Sequence, residues 1–272
     1  MVNGYLATTL QEALEIRARE AVIPYSGGTD LMIEPEEAAT FLFLGKIPEL
    51  KKIMDDGQYI RIGAACTFTE VLEHDLSPAV LKEAVSQIAA PAIRNLGTVG
   101  GNICNGSPKG DSTLIFVATD AKLRLASKNS ERIIPITEFF LGRRKTVLQA
   151  DELLVEILMS RTGLENYYYK KVGARDALAI SRVAFAAVLN VVDEKITSCI
   201  TAFGAVSDSF IRQPEIDAML SGKTIAQAKA IKEQYLAAYN EAIVPIRGRI
   251  SAEYRKTVCM NLLRDFLESN GI

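Results

Sequence analysis

The sequence has no tryptophan, a single histidine and four cysteines scattered one by one. Each scarcity excludes something. Cys66, Cys104, Cys199 and Cys259 form no C-x-x-C pair, which argues against a disulfide framework and against a zinc or iron–sulfur site carried by this chain. A reducing cytoplasm is the setting expected. The lone His74 falls at the end of a predicted helix, where a surface or helix-end role suffices, so histidine-based nucleophilic or proton-shuttling chemistry is not expected. No apolar run approaches the ~18 residues a membrane span needs. The N-terminal MVNGYLATTLQEALEIRARE lacks the basic start and apolar stretch of a signal peptide. Charge of one sign is missing too: 31 basic and 33 acidic residues are interspersed, for a net charge of −2, without a basic stripe for nucleic acid or an anionic membrane. Neither the G-x-G-x-x-G dinucleotide fingerprint nor a G-x-x-x-x-G-K-[ST] phosphate loop occurs, and there is no internal repeat or low-complexity segment.

What is present is a polar, glycine-rich stretch, Arg94–Ser112 (RNLGTVGGNICNGSPKGDS), through which no helical or alternating period can be drawn. Aperiodic segments of this length inside a compact chain are usually functional. Glycines let backbone N–H groups approach a ligand, and successive N–H groups in turns bind anions. Thr98, Asn102, Asn105, Ser107 and Ser112 add neutral donors, and Asp111 adds an acceptor suited to a ribose hydroxyl or a ring N–H. This inventory suits a phosphate-bearing cofactor. A second cluster, Tyr25-Ser26-Gly27-Gly28-Thr29-Asp30, follows the apolar run Ala21–Ile23 and reads as a strand followed by a glycine turn.

Around these clusters, the chain has room for one large domain or two to three small ones. Residues 1–54 alternate strand and helix: a helix over Thr9–Arg19 capped by Thr8 or Thr9, strands at Ala21–Tyr25 and Thr40–Leu44, and a short helix over Pro48–Met54. Tyr59–Ala64 alternates as a half-buried strand does. Thr67 and Glu70 form a capping box for a helix ending at His74. Pro78–Ala90 reads as a helix with Val80, Leu81, Ala84, Val85 and Ile88 turned inward, and Ser112–Thr119 as a helix whose N-terminus faces the organising stretch. Strands are expected at Lys122–Ala126 and Ile133–Ile136. The basic run Arg143-Arg144-Lys145 reads as solvated surface or as a contact for a nicotinamide dinucleotide. Beyond a boundary at Ser160–Asn166, strands at Tyr167–Lys171, Arg182–Val192 and Ile196–Gly204 precede helices at Pro214–Ala238 and Ala252–Glu268, an α+β order.

SGGTDLM followed about 70 residues later by TVGGNICNGSPKGDS resembles the FAD-binding subunit of the molybdenum hydroxylases, of the xanthine dehydrogenase and carbon monoxide dehydrogenase type. The resemblance extends through Ala121–Leu125, the D-E-L-L of Asp151–Leu154, Lys171 with Arg175-Asp176-Ala177, and Ser251-Ala252-Glu253-Tyr254-Arg255. It implies an α+β fold: a two-subdomain FAD-binding unit of the PCMH type (1–54 and 55–162), then a C-terminal α+β domain (163–272) with an antiparallel sheet and helices. In that family FAD lies extended between the two N-terminal subdomains. Carried over by motif, Pro24, Tyr25, Ser26, Gly27, Gly28, Thr29, Asp30 and Leu31 would wrap the pyrophosphate and ribitol. Thr98, Gly101, Asn102, Asn105 and Ser107 would continue that shell. Asp111 would accept from the adenosine ribose or another polar part, while Leu154 and Lys171 would lie near the isoalloxazine ring. Lys171 is preferred to Lys170 for its four-residue spacing to Arg175.

Two departures stand out: Ile88 replaces an aromatic that some relatives place against the flavin, and Ala179 an acidic residue common after R-D-A. The resemblance implies no catalytic or metal-binding residue in this chain. It implies electron transfer from a two-iron two-sulfur small subunit through FAD to NAD+ or a similar acceptor, in a heterotrimer completed by a molybdopterin-binding large subunit. A self-contained flavin oxidoreductase and a flavin-free assembly subunit are the other readings.

Overall fold

The computed structural model describes residues 3–33 and 38–272. The chain forms two compact units, and neither is continuous in sequence. One runs up to Pro78 and includes Ile88–Ser107 and Asp120–Arg161; the other gathers Ala79–Gln87, Pro108–Thr119 and Thr162–Ile272.

In the first unit the helix Leu10–Arg19 is capped by the Thr9 side chain, which accepts from the Glu12 N–H, and it buries Ala13, Leu14 and Ile16. It connects Asn3–Leu6 to Ile23–Tyr25, and both strands pair in parallel with a central Thr40–Phe43. The expected helix over Pro48–Met54 is a single 3-10 turn, Pro48–Lys51. Ile53–Asp55 then turns back as a strand onto Tyr59–Gly63 through a turn at Gly57, whose φ is +92° and whose N–H is held by Asp55 Oδ1 at 2.8 Å.

These two strands belong to a five-stranded antiparallel sheet whose centre is Leu153–Ser160, flanked by Tyr59–Gly63 and Lys122–Ala126, with Glu131–Pro135 beyond the latter. The central strand is absent from the sequence expectations because it is buried along both faces, and its apolar run shows no alternation. Its one charge, Glu156, is taken by Arg61 Nε at 3.1 Å and Arg124 Nε at 3.0 Å from the two neighbouring strands. A bulge interrupts the ladder between Leu154 and Glu156. At the strand's entrance, Glu152 receives Arg132 Nε at 2.7 Å and Nη2 at 2.8 Å.

The second unit is built on the antiparallel sheet Tyr167–Val172, Val183–Val192, Lys195–Gly204 and Ile211–Arg212. Val183, Phe185, Ala187 and Leu189, spaced by two as a strand face requires, join Phe203, Tyr235, Tyr239, Leu263 and Phe266 in one core. Tyr235 and Tyr239 come from the helix Lys232–Ala242. Leu263 and Phe266 come from Ala252–Ser269, whose start is capped by Ser251. The helix Asp111–Ala118 is apolar on all sides after its first turn and buried throughout. It packs on the two long strands, with the helix Ala79–Ser86 beside it. That second helix buries Val80, Leu81, Ala84 and Val85 as expected but ends at Ser86, short of Ile88. The chain then bends at Ala89, a left-handed residue with φ +43°, and Ala90 precedes Pro91, a position that disfavours helix. Among the described residues no helix is long and apolar enough to cross a membrane.

The core of the second unit holds the carboxylate of Asp217. Asp217 is 2 % exposed. It accepts from Thr201 N–H and Oγ1, Tyr235 and Tyr239 hydroxyls, and Arg212 Nη1 at 2.6–3.0 Å. Asp217→Ala should cost about 3–5 kcal/mol, because it strands a buried cation and several donors, and urea denaturation will measure it. In the first unit the hydrogen bond from Arg132 holds the Glu152 carboxyl below its ordinary range. A lowered native pKa gives stability that is present at neutral pH and lost as pH falls below about 4.3 and through the native value. Glu152→Gln should therefore lower stability at pH 7 and flatten the acid limb of a stability–pH curve.

Candidate functional site

In the first unit, the strand Ile23–Tyr25 delivers the chain into a turn that the following residues leave open. Tyr25 anchors it, its ring 5.7 Å from Phe41 and 5.1 Å from Phe43. Gly28 adopts φ +69°, and the Met32 N–H closes back on its carbonyl at 2.9 Å. Gly27 lies against the Leu96–Gly97 peptide so closely that a Cβ would fall 1.9 Å from the Leu96 oxygen. The N–H groups of Ser26, Gly27, Gly28 and Thr29 take no hydrogen-bond partner among the described residues. Consecutive unpaired N–H groups on a half-buried turn are an anion-binding arrangement.

The Arg94–Ser112 stretch is not a continuous loop. Pro91–Arg94 is one turn, Val99–Cys104 a short helix capped by Thr98, and Asp111 opens the next helix. Its backbone donors are already in use. Val99 N–H bonds Cys66 O at 3.0 Å, Gly100 N–H bonds Ala64 O at 2.9 Å, Gly101 N–H bonds Thr98 Oγ1 at 3.1 Å and Asn105 N–H bonds Gly101 O at 2.9 Å. Gly100 is needed for packing, since a Cβ there would sit 2.6 Å from Ala64. Thr98 is buried and its hydroxyl serves the cap, whereas Gly101 is exposed and Asn102, Asn105 and Ser107 are half-buried. This stretch is therefore a wall supporting the 26–29 turn rather than a second set of free donors.

Arg144, read from sequence as solvated surface or as a contact for a nicotinamide dinucleotide, lies beside the turn and its wall. Its N–H bonds Gly106 O at 2.9 Å, and its guanidinium is 3.9 Å from Asp30. Only its membership of a basic run signalled it. Ile88 is half-buried beside the Ala89 bend, where Arg94 Nη1 donates to the carbonyls of Ile88 and Ala89 at 2.8 and 2.9 Å. Leu154 is 5 % exposed and sits in the central strand opposite Leu125.

In the second unit, Asp111 and Lys171, assigned from the resemblance to separate parts of a cofactor, form one ion pair. Lys171 Nζ lies 2.8 Å from Asp111 Oδ2 and 2.8 Å from Gln87 O, and Ser181 Oγ donates to Asp111 Oδ1 at 2.5 Å. Burial pushes the Asp111 carboxyl upward, while Lys171 and Ser181 favour its anion. Sequence reasoning missed Ser181. Lys170, on the opposite face of the strand, is exposed. Among the described residues all four cysteines are free thiols, and no cluster of His, Cys, Asp or Glu could hold a metal ion.

Comparison with known proteins places the chain in a family. Residues 1–159 match the family model described as the FAD binding domain in molybdopterin dehydrogenase, and residues 167–270 match the CO dehydrogenase flavoprotein C-terminal domain. The nicotinate dehydrogenase FAD-subunit of Eubacterium barkeri is 34 % identical over 187 residues, 64 % of this chain and 63 % of that protein. The xanthine dehydrogenase FAD-binding subunit of Escherichia coli O157:H7 is 32 % identical over 251 residues, 88 % of this chain and 83 % of that one. A chain of the reconstituted CO dehydrogenase from Oligotropha carboxidovorans shares the fold, with a TM-score of 0.89 at 24 % identity over 98 % of this chain and 96 % of that chain. The expected α+β architecture, an FAD-binding part of the PCMH type and a C-terminal domain with an antiparallel sheet and helices, is thus present. With both domain models matched in order along nearly its whole length, the chain belongs to the family of FAD-binding subunits of the molybdopterin dehydrogenases, of the xanthine and CO dehydrogenase type.

Proposed function

We propose that this chain is the FAD-carrying electron-transfer subunit of a cytoplasmic molybdenum hydroxylase that oxidises xanthine, another purine or a related N-heterocycle. In this reading it takes electrons from a two-iron two-sulfur subunit and passes them to NAD+ or a similar acceptor, within a heterotrimer that includes a molybdopterin-binding large subunit. The observation that carries the reading is the row of unpaired N–H groups at Ser26–Thr29, on a turn with no room for a side chain at Gly27. These residues fit a pyrophosphate, which needs several convergent donors and close backbone approach. The relatives named for nicotinate and xanthine support the substrate class, and four free thiols suit a reducing compartment.

When bound, FAD supplies both one- and two-electron chemistry, which lets single-electron donors meet a hydride acceptor. The chain's residues hold and tune it. Ser26, Gly27, Gly28 and Thr29 would donate to the phosphates, with Pro24, Tyr25, Asp30 and Leu31 shaping the turn. Thr98 acts by holding the start of its helix, Gly101 leaves an open approach, and Asn102, Asn105 and Ser107 add polar contacts. Leu154 and Ile88 supply aliphatic wall. Because Asp111 and Lys171 are paired, both would serve one region of the cofactor, near the ring. A fixed cation there favours the negative charge that accumulates on reduction.

The purified chain should be yellow and should release FAD in a one-to-one ratio, read from its visible spectrum and from chromatography of the released chromophore. A colourless chain that also refuses added FAD would sink the proposal in favour of an assembly role. Gly27→Ala must displace the turn or the Leu96 carbonyl, a perturbation of about 1–3 kcal/mol. FAD affinity should fall about ten- to a hundredfold, measured by quenching of flavin fluorescence, while far-UV circular dichroism stays native.

A further inference from the structure

Ser181 is held against Asp111, and the chain goes to some length to deliver it there. It lies in the connection between Tyr167–Val172 and Val183–Val192, whose base is closed by Arg182 N–H on Val172 O at 2.9 Å. That connection is fastened to itself. Arg175 Nε and Nη2 donate to Ala177 O and Leu178 O at 2.9 and 2.8 Å, and Leu178 is held in the left-handed region at φ +56°. Gly173 accommodates the Ala179 methyl, which would lie 2.7 Å from a Cβ there. A left-handed leucine costs conformational energy and persists only where its surroundings fix it. The outcome is a serine 2 % exposed, with its hydroxyl on Asp111 Oδ1.

The geometry explains what this contact does. An ammonium has three N–H donors, and Lys171 uses two of them, on Asp111 Oδ2 and Gln87 O. The third can point in one direction only if its two anchors are immobile. Gln87 O is backbone. Asp111 is a side chain that can rotate about its terminal bond unless both oxygens are held, and Ser181 holds the second. Resting on the FAD reading above, we propose that Ser181 is a positioning residue for the flavin: it locks the Asp111 carboxylate so that Lys171 keeps its remaining N–H directed at an acceptor on the ring. Ser181 touches neither the cofactor nor the reacting atoms.

The test uses the full-length chain as wild type, Ser181→Ala and Ser181→Thr. In the FAD-free chains, Lys171 should react with an amine-directed acylating reagent several-fold faster in Ser181→Ala than in wild type, read by peptide mass spectrometry, with Ser181→Thr restoring protection. In the FAD-loaded chains, the flavin midpoint potential should move to more negative values in Ser181→Ala and recover in Ser181→Thr, with FAD affinity changed by no more than about tenfold, the equivalent of one hydrogen bond. Unchanged Lys171 labelling, or an unchanged potential with FAD bound, overturns the proposal while leaving the FAD reading intact. A wild-type chain that binds no FAD overturns both. Should Ser181→Ala fail to fold, Ser181→Cys, similar in size but a weak donor, takes its place under the same criteria.

Discussion

The first unit's site depends on one close approach between backbones. The Ser26–Thr29 turn can stand against the Leu96–Gly97 peptide only because residue 27 carries no side chain. That contact sets the direction in which four N–H groups point, and it explains the expense lavished on the opposing wall. Phe68, Val99 and Gly100 each donate into the backbone of a neighbouring segment, so the wall is as firmly bonded as a sheet although no strand is assigned to it. Rigidity on one side and unpaired donors on the other are what an anion site requires: donors already oriented, with little reorganisation left to occur on binding.

The second unit buries two carboxylates and treats them differently. Asp217 accepts five hydrogen bonds from four residues and is saturated, which identifies it as a structural hub between the sheet and the helices that cover it. Asp111 accepts one bond on each oxygen, from a lysine and a serine, and the lysine retains donor capacity. Saturation ends a network, and residual capacity extends one. The distinction separates a buried charge that holds the fold from one that is available for use.

How much of this was legible in the sequence follows from which interactions are local. Capping at Thr67–Glu70 and at Ser251, and the alternation of Tyr59–Gly63, depend on neighbouring residues and are readable. The glycine clusters announced a binding role. Which cluster keeps its N–H groups free did not follow from composition, because Ala64 and Cys66, the acceptors that occupy the Gly100 and Val99 N–H groups, lie over thirty residues before those donors. Leu153–Ser160 escaped notice since burial on both faces erases period two. Ser181 was invisible because its only distinction is a partner seventy positions away.

The second unit's composition bears on how the chain is made. Its sheet lies wholly after residue 162, yet the helix buried against that sheet, Asp111–Ala118, and the one beside it, Ala79–Ser86, are synthesised much earlier. An apolar helix with no hydrophilic face cannot rest in water, so it must wait, shielded by transient contacts or a chaperone, until some eighty later residues have left the ribosome. Sequence models divide this chain between 159 and 167, and the second unit does resume at Thr162, but two of its helices come from well before that point. A C-terminal fragment starting at the boundary of the sequence models would begin life with one face of its sheet bare.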